Sequence, residues 1–175
     1  SRTMAPSGFI LYLGIKEKFK ELVHHNLFFA EHWKESFEEI FKGRKLPQNP
    51  SYYICAPSKT DPSVAPEGCE NLFVLVPTVT NLTLDKKAIK NYRDKIIKHI
   101  TATMNTNGLE ENIVFERIFT GQDFSSLYNA YKGTALGLAQ NLTQTAVFRP
   151  KTKSGKVKNL YFSGANTNPG TGVPM

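Results

Sequence analysis

This sequence has few cysteines, no long apolar run and no block of one charge sign. Its 175 residues hold two cysteines, Cys55 and Cys69. That is too few for a disulfide scaffold, and the pair lacks the spacing of a zinc site. A reduced, cytosolic setting is the expectation. No apolar run approaches the ~20 residues that span a bilayer. The opening "SRTMAPSGFILYLG" lacks the build of a signal peptide, so the sequons at Asn81 and Asn141 are read as chance matches. There is no internal repeat and no low-complexity linker, and one domain is expected at this length. No serine sits in a Gly-x-Ser-x-Gly elbow. Cys55 lies in an apolar run, where a thiol is usually inert.

Charge is present but scattered. There are 22 basic and 15 acidic residues, for a net charge of +7. Such a balance permits binding to polyanions. No RNA-binding aromatic motif, finger or heptad run accompanies it, so no nucleic-acid partner is expected. Lys151, Lys153, Lys156 and Lys158 form the densest run and read as a solvated loop. The histidines carry no metal signature. Adjacent residues on a strand face opposite ways, so His24 and His25 should not share an ion. His32 and His99 lie on helical segments without a second ligand one turn on.

Regular structure is easier to place. "GFILYLGIK" is a near-continuous apolar run and reads as a strand covered on both faces. "HHNLFFA", "SYYICAPS", "NLFVLVPTV", "ENIVFERIFT" and the late "NLYFSGA" are further strands. The turn-rich "KTDPSVAPEGCE" joins two of them as antiparallel neighbours. Trp33, Phe37, Ile40 and Phe41 form a stripe at the helical period, with Gly43 as a stop. Ile89, Tyr92, Ile96, Ile100 and Met104 form a second stripe, with Asp85 as a cap. "GQDFSSLYNAY" is a short third helix, and "KGTALGLAQNLTQTAVFRP" a loop that packs on something flat. Five or six strands and three helices without βαβ alternation give an α+β fold. Its sheet is expected to be mixed and largely antiparallel, with flanking helices.

Two places carry chemistry. Asp61 sits in the stiff turn "KTDPSVAPEG", either as a turn cap or as a carboxylate presented into a cleft. The tail "GTGVPM" begins like a Gly-x-Gly-x-x-Gly fingerprint but has Met175 at the third glycine position, so it is not one. Its two glycines would still let backbone approach a ligand closely.

Seven stretches in order resemble the bacterial-type phytoene desaturases and diapophytoene desaturases. They are "SGFILYLGI", "HHNLFFAEHWKESFEEIF", "PSKTDPSVAPEG", "ENLFVLVP", "RIFTGQDF", "QTAVFRP" and "NLYFSGANTNPGTGVPM". The resemblance implies a carotenoid-forming flavoenzyme of the amine-oxidase-like superfamily. It implies that residues 1–158 are the substrate-binding domain and residues 159–175 the truncated start of the C-terminal FAD-binding segment. Gly164, Ala165, Gly170, Thr171, Gly172 and Val173 are the cofactor contacts it implies, and Asp61 the catalytic carboxylate. Asn168 stands where the family usually has His, and Gln140 where relatives tend to have Pro. Gln144, Arg149 and Pro150 match the family pattern without a chemical role that can be read from it. The implied reaction passes a hydride from a long polyene, phytoene or diapophytoene, to FAD. An apolar tunnel would hold the substrate, and the parent enzyme would work as a peripheral protein on the inner, cytoplasmic face of the membrane. A carotenoid isomerase, a terminal-methyl oxidase and a non-catalytic lipid-binding module are the alternatives. Alone, the chain is expected to lack FAD and activity and to self-associate through exposed apolar surface.

Overall fold

The run Ser7–Ile15 forms the longest strand among the described residues, jointly with Glu70–Thr78, because it has a partner on each side. The computed structural model describes residues 2–171. In chain order the elements are β1 (Ser7–Ile15), β2 (His25–Phe28), α1 (Trp33–Lys42), β3 (Tyr52–Cys55), β4 (Glu70–Thr78), α2 (Lys86–Thr103), β5 (Ile113–Phe119) and α3 (Gly121–Tyr128). The sheet has five strands in the order β2-β3-β4-β1-β5. Every ladder among the described residues is antiparallel. The sheet expected to be mixed is thus wholly antiparallel here, within the α+β class read from the sequence.

Alternation along each strand sorts residues to two faces. One face carries Phe9, Leu11, Leu13, Ile54, Leu72, Val74 and Val76, all buried. Against them α2 lays Tyr92, Ile96, Ile97 and Ile100. Each such side chain contributes ~1.5–3 kcal/mol when taken out of water. The Phe9 and Tyr92 rings meet edge to face at 5.0 Å. Asp85 caps α2 by accepting the Ala88 N–H at 2.7 Å, an interaction worth about 1 kcal/mol. The stripe read from the sequence is thus the one the core uses.

Two elements differ from the sequence expectation. Trp33, Phe37 and Phe41 of α1 are 59%, 57% and 47% exposed, and the helix buries only Ser36 and Ile40. The aromatic rings pack on one another instead, at 6.3 and 5.8 Å. Periodicity marks a face that wants an apolar partner; it does not show whether the fold supplies one. The stretch "NLYFSGA" is likewise no strand. Tyr161 makes a single bridge to Lys153, and Leu160, Tyr161 and Phe162 stay exposed. Their backbone finds only local partners among the described residues: Phe162 N–H donates to Thr152 O at 2.6 Å, and Leu160 O accepts from Ser154 N–H at 2.9 Å. The glycine-rich stretch before it is a loop, as expected. It lies along the N-terminal arm, where Ala5 donates to Gly137 at 2.8 Å and Ala139 to Thr3 at 3.0 Å.

A buried carboxylate ties the loop before β2 to the sheet. Glu70 is 1% exposed and pairs with Lys59, which also donates to the Phe19 carbonyl. Removing the ammonium leaves a buried charge uncompensated. Lys59→Met should therefore lower stability by about 3–5 kcal/mol in a urea titration.

His99 gives a pH signature. Burial, aided by the positive charge of Lys95, lowers its pKa. The ring lies 3.0 Å from the Tyr52 hydroxyl and edge-on to Phe28. The fold thus resists a proton that the unfolded chain accepts below about pH 6.5. Stability should fall as pH drops below that value, and His99→Gln should flatten the fall in thermal melts taken across it.

Candidate functional site

The second face of the sheet has no helix along its middle. By the same alternation it carries Tyr12, Leu27, Tyr53, Phe73, Leu75 and Phe115, with the charged Arg117 opposite Tyr12 on β5. Cross-strand register sets them in rows: Leu27 opposite Tyr53, Tyr53 opposite Leu75, and Phe73 opposite Tyr12. The Tyr12 and Phe73 rings are 5.4 Å apart, and those of Tyr53 and Phe73 are 6.3 Å apart. Tyr12 is 39% exposed, Leu27 61% and Phe115 60%. At one end α3 closes over the face, with Phe124 edge-on to Phe119 at 4.9 Å. Thr120 and Asp123 form a capping box that fixes where this helix starts. Among the described residues this surface forms one apolar wall, and a tunnel needs a second.

At the other end of this face sit His24, His25 and Cys55. The two imidazole rings are 4.1 Å apart, although strand alternation predicts opposite directions. The reason is that β2 begins at His25; His24 precedes it and is free of the alternation.

Asp61 takes the first of the two roles read from the sequence, that of a turn cap. It caps the 3-10 turn Pro62–Val64, accepting the Ser63 N–H at 2.9 Å and the Ser63 hydroxyl at 2.6 Å. The Ser63 hydroxyl, with the backbone amide beside it, holds the carboxyl below its ordinary range.

The tail is organised by a side chain whose role was not legible in the sequence. Arg149 is 2% exposed. Its guanidinium donates to the carbonyls of Thr167 at 3.1 Å and Leu138 at 3.3 Å, and to that of Ala165. Gln144 brackets the N-terminal arm in the same way, accepting from Thr3 N–H at 2.7 Å and donating to Thr3 O at 2.8 Å. Gly164 and Gly170 take φ of +126° and +118°, the region that disfavours a side chain. A Cβ on Gly170 would also lie 3.2 Å from the Arg149 guanidinium carbon. Thr171 is held by Gln140, which donates to its hydroxyl at 2.7 Å. Ala165 and Gly170 thus lie against one buried cation, Gly164 is tied to it through Thr167, which donates to the Gly164 carbonyl, and Thr171 is held by Gln140. Gly172 and Val173 lie outside the described residues. Arg149 Nη1 has no hydrogen-bond partner among the described residues. A depression of about 520 Å³, lined by Met4, Tyr131, Leu138, Pro150 and Asn166 together with the cations Arg2 and Lys132, opens beside this knot.

No family model matches the chain. Individual relatives do. A carotenoid 3,4-desaturase of Haloarcula japonica is 45% identical over 99% of the chain and 35% of its own length. A zeta-carotene-forming phytoene desaturase of Myxococcus xanthus is 43% identical over 96% of the chain and 33% of its length. A 4,4'-diaponeurosporene oxygenase of Staphylococcus haemolyticus is 32% identical over 98% of the chain and 34% of its length. Phytoene and diapophytoene desaturases match at similar levels. The chain is homologous to the carotenoid desaturases, as its motifs imply, and spans about a third of the length of the curated relatives it matches.

Arg149→Met should orphan three carbonyls and release the tail. We expect a loss of more than about 2 kcal/mol in denaturant titration, together with faster amide exchange at Ala165 and Thr167 than at α2.

Proposed function

We propose that this chain is the substrate-side part of an FAD-dependent carotenoid desaturase acting on phytoene or diapophytoene. Its bare sheet face would be one wall of the polyene site. One coincidence carries the reading: relatives named for carotenoid desaturation match a chain whose sheet leaves an aromatic, apolar face uncovered. A polyene has no polar handle, so a wall of Tyr12, Phe73, Tyr53 and Leu75 recognises it by shape and by exclusion of water. The Tyr53 hydroxyl is turned to His25 Nδ1, 2.6 Å away.

The tail fits the cofactor's edge. FAD, when bound, supplies the acceptor for a hydride. Backbone at Gly164 carries no side chain and has open space where one would stand, which allows close approach; at Gly170 that space is taken by Arg149. Arg149 sets a buried positive charge with one N–H group unused beneath that backbone, suited to an electron-rich ring edge. Gly172 and Val173 continue the same segment. Asp61, committed to Ser63, has no part in this reading. The substrate is a membrane hydrocarbon, so we place the enzyme at the cytoplasmic face of the membrane. The exposed aromatics of α1 are the candidates for docking there. No helix among the described residues is long and apolar enough to cross a membrane.

A second reading keeps the same wall and changes the product. The match to a 4,4'-diaponeurosporene oxygenase favours oxidation of a terminal methyl group.

The full-length protein tests both. Purified with flavin and given phytoene or diapophytoene, it should yield products with lengthened conjugation; oxygenated products would select the second reading. Phe73→Asp should cut kcat/KM at least about tenfold with the flavin absorbance kept, whereas Gly170→Val should lose the flavin. A colourless protein indifferent to added flavin would overturn the proposal. The isolated chain should show no flavin band and should sediment faster as its concentration rises.

A further inference from the structure

His24, His25 and Cys55 meet at the β2–β3 end of the open face, and the proposed reaction uses none of them. His25 and Cys55 are directly opposed in the β2–β3 ladder and so share a face. The His24 carbonyl accepts the Ala56 N–H at 2.8 Å, which holds its backbone against the same ladder while its ring turns back over His25. One ring nitrogen of each histidine and the Cys55 sulfur all lie within 4.8 Å of one another. A tetrahedral zinc ion, with nitrogen at ~2.0 Å and sulfur at ~2.3 Å, holds its ligand atoms roughly 3.3–3.8 Å apart. Small side-chain rotations close that gap.

The surroundings match those of metal ligands. His24 Nδ1 lies 2.5 Å from the Thr60 hydroxyl, and His25 Nδ1 lies 2.6 Å from the Tyr53 hydroxyl. Each imidazole is therefore oriented by a second group, as metal-bound histidines are. Binding through Nε2 leaves Nδ1–H to donate to the hydroxyl. Two imidazoles and a thiolate suit a borderline-soft ion and disfavour magnesium or calcium, which take oxygen ligands.

We propose that His24, His25 and Cys55 bind one zinc ion, with the fourth position open to solvent beside exposed His25. On binding, the Cys55 thiol gives its proton to solvent and the thiolate takes the metal. The ion would pin β2 to β3 where the polyene face ends. This inference stands apart from the desaturase reading, because its test needs neither flavin nor substrate.

The chain titrated with zinc chloride in a calorimeter should bind one equivalent, with about one proton released, read from the dependence of heat on the buffer. Cobalt(II) as a spectroscopic probe should give a near-ultraviolet thiolate-to-metal band. Cys55→Ser should abolish that band while Cys69→Ser keeps it, and Tyr53→Phe should weaken zinc binding about tenfold. The proposal is overturned if the cobalt band is absent, if it survives in Cys55→Ser, or if zinc uptake is unchanged in that variant.

Discussion

A single long helix can cover only one face of a sheet, and most of this molecule follows from that. α2 dries the face built on Phe9, Leu11, Ile54 and Val74. The opposite face keeps Tyr12, Phe73 and Phe115 without a partner along most of its width. Stability is secured on one side, so residues on the other need not contribute to it. A surface freed in this way can be shaped for a ligand. The exposed aromatics at its centre are the kind of group that takes a ligand whose only property is apolar area.

Much of the architecture was legible in the residues. β1, β3, β4 and β5 follow from runs with strand composition, and α2 from a stripe that recurs at the helical period and really is buried. What failed was partner assignment. The stripe of α1 has the same periodicity as that of α2, yet Trp33, Phe37 and Phe41 meet water. Leu160, Tyr161 and Phe162 have the composition of a strand but find no ladder. Composition states what a segment could bury and leaves open what it meets. The site was read less well for a related reason. Arg149 joins Leu138 to residues 165 and 167, and His24 and His25 join Cys55 some thirty residues away. Contacts of that separation leave no local pattern. Asp61, read as a turn cap or as a carboxylate presented into a cleft, caps the turn at Pro62.

The N-terminal arm and the tail are held by one set of side chains. Gln144 grips Thr3, Thr134 donates to Ala5 at 2.8 Å, and Arg149 gathers the carbonyls beyond. The first and last described segments are thus parts of one polar knot at the edge of the apolar core. Most of its hydrogen bonds end on backbone carbonyls, which makes the knot tolerant of side-chain change at the residues it holds and intolerant at Arg149 and Gln144.

The order of the strands has one more consequence. β5 ends the sheet, so one side of its backbone is unsatisfied by any ladder among the described residues, and Val114 and Phe115 lie open along it. Such a border is a template for a stray strand from another molecule. Two local devices blunt it. Glu116 and Arg117 put opposite charges in the middle of the strand, and the register slips between Gly14 and Ile15 of the neighbouring β1, which bends the border out of the flat geometry that fibrils require. The β5 flank thus carries its own gatekeepers against amyloid-like stacking.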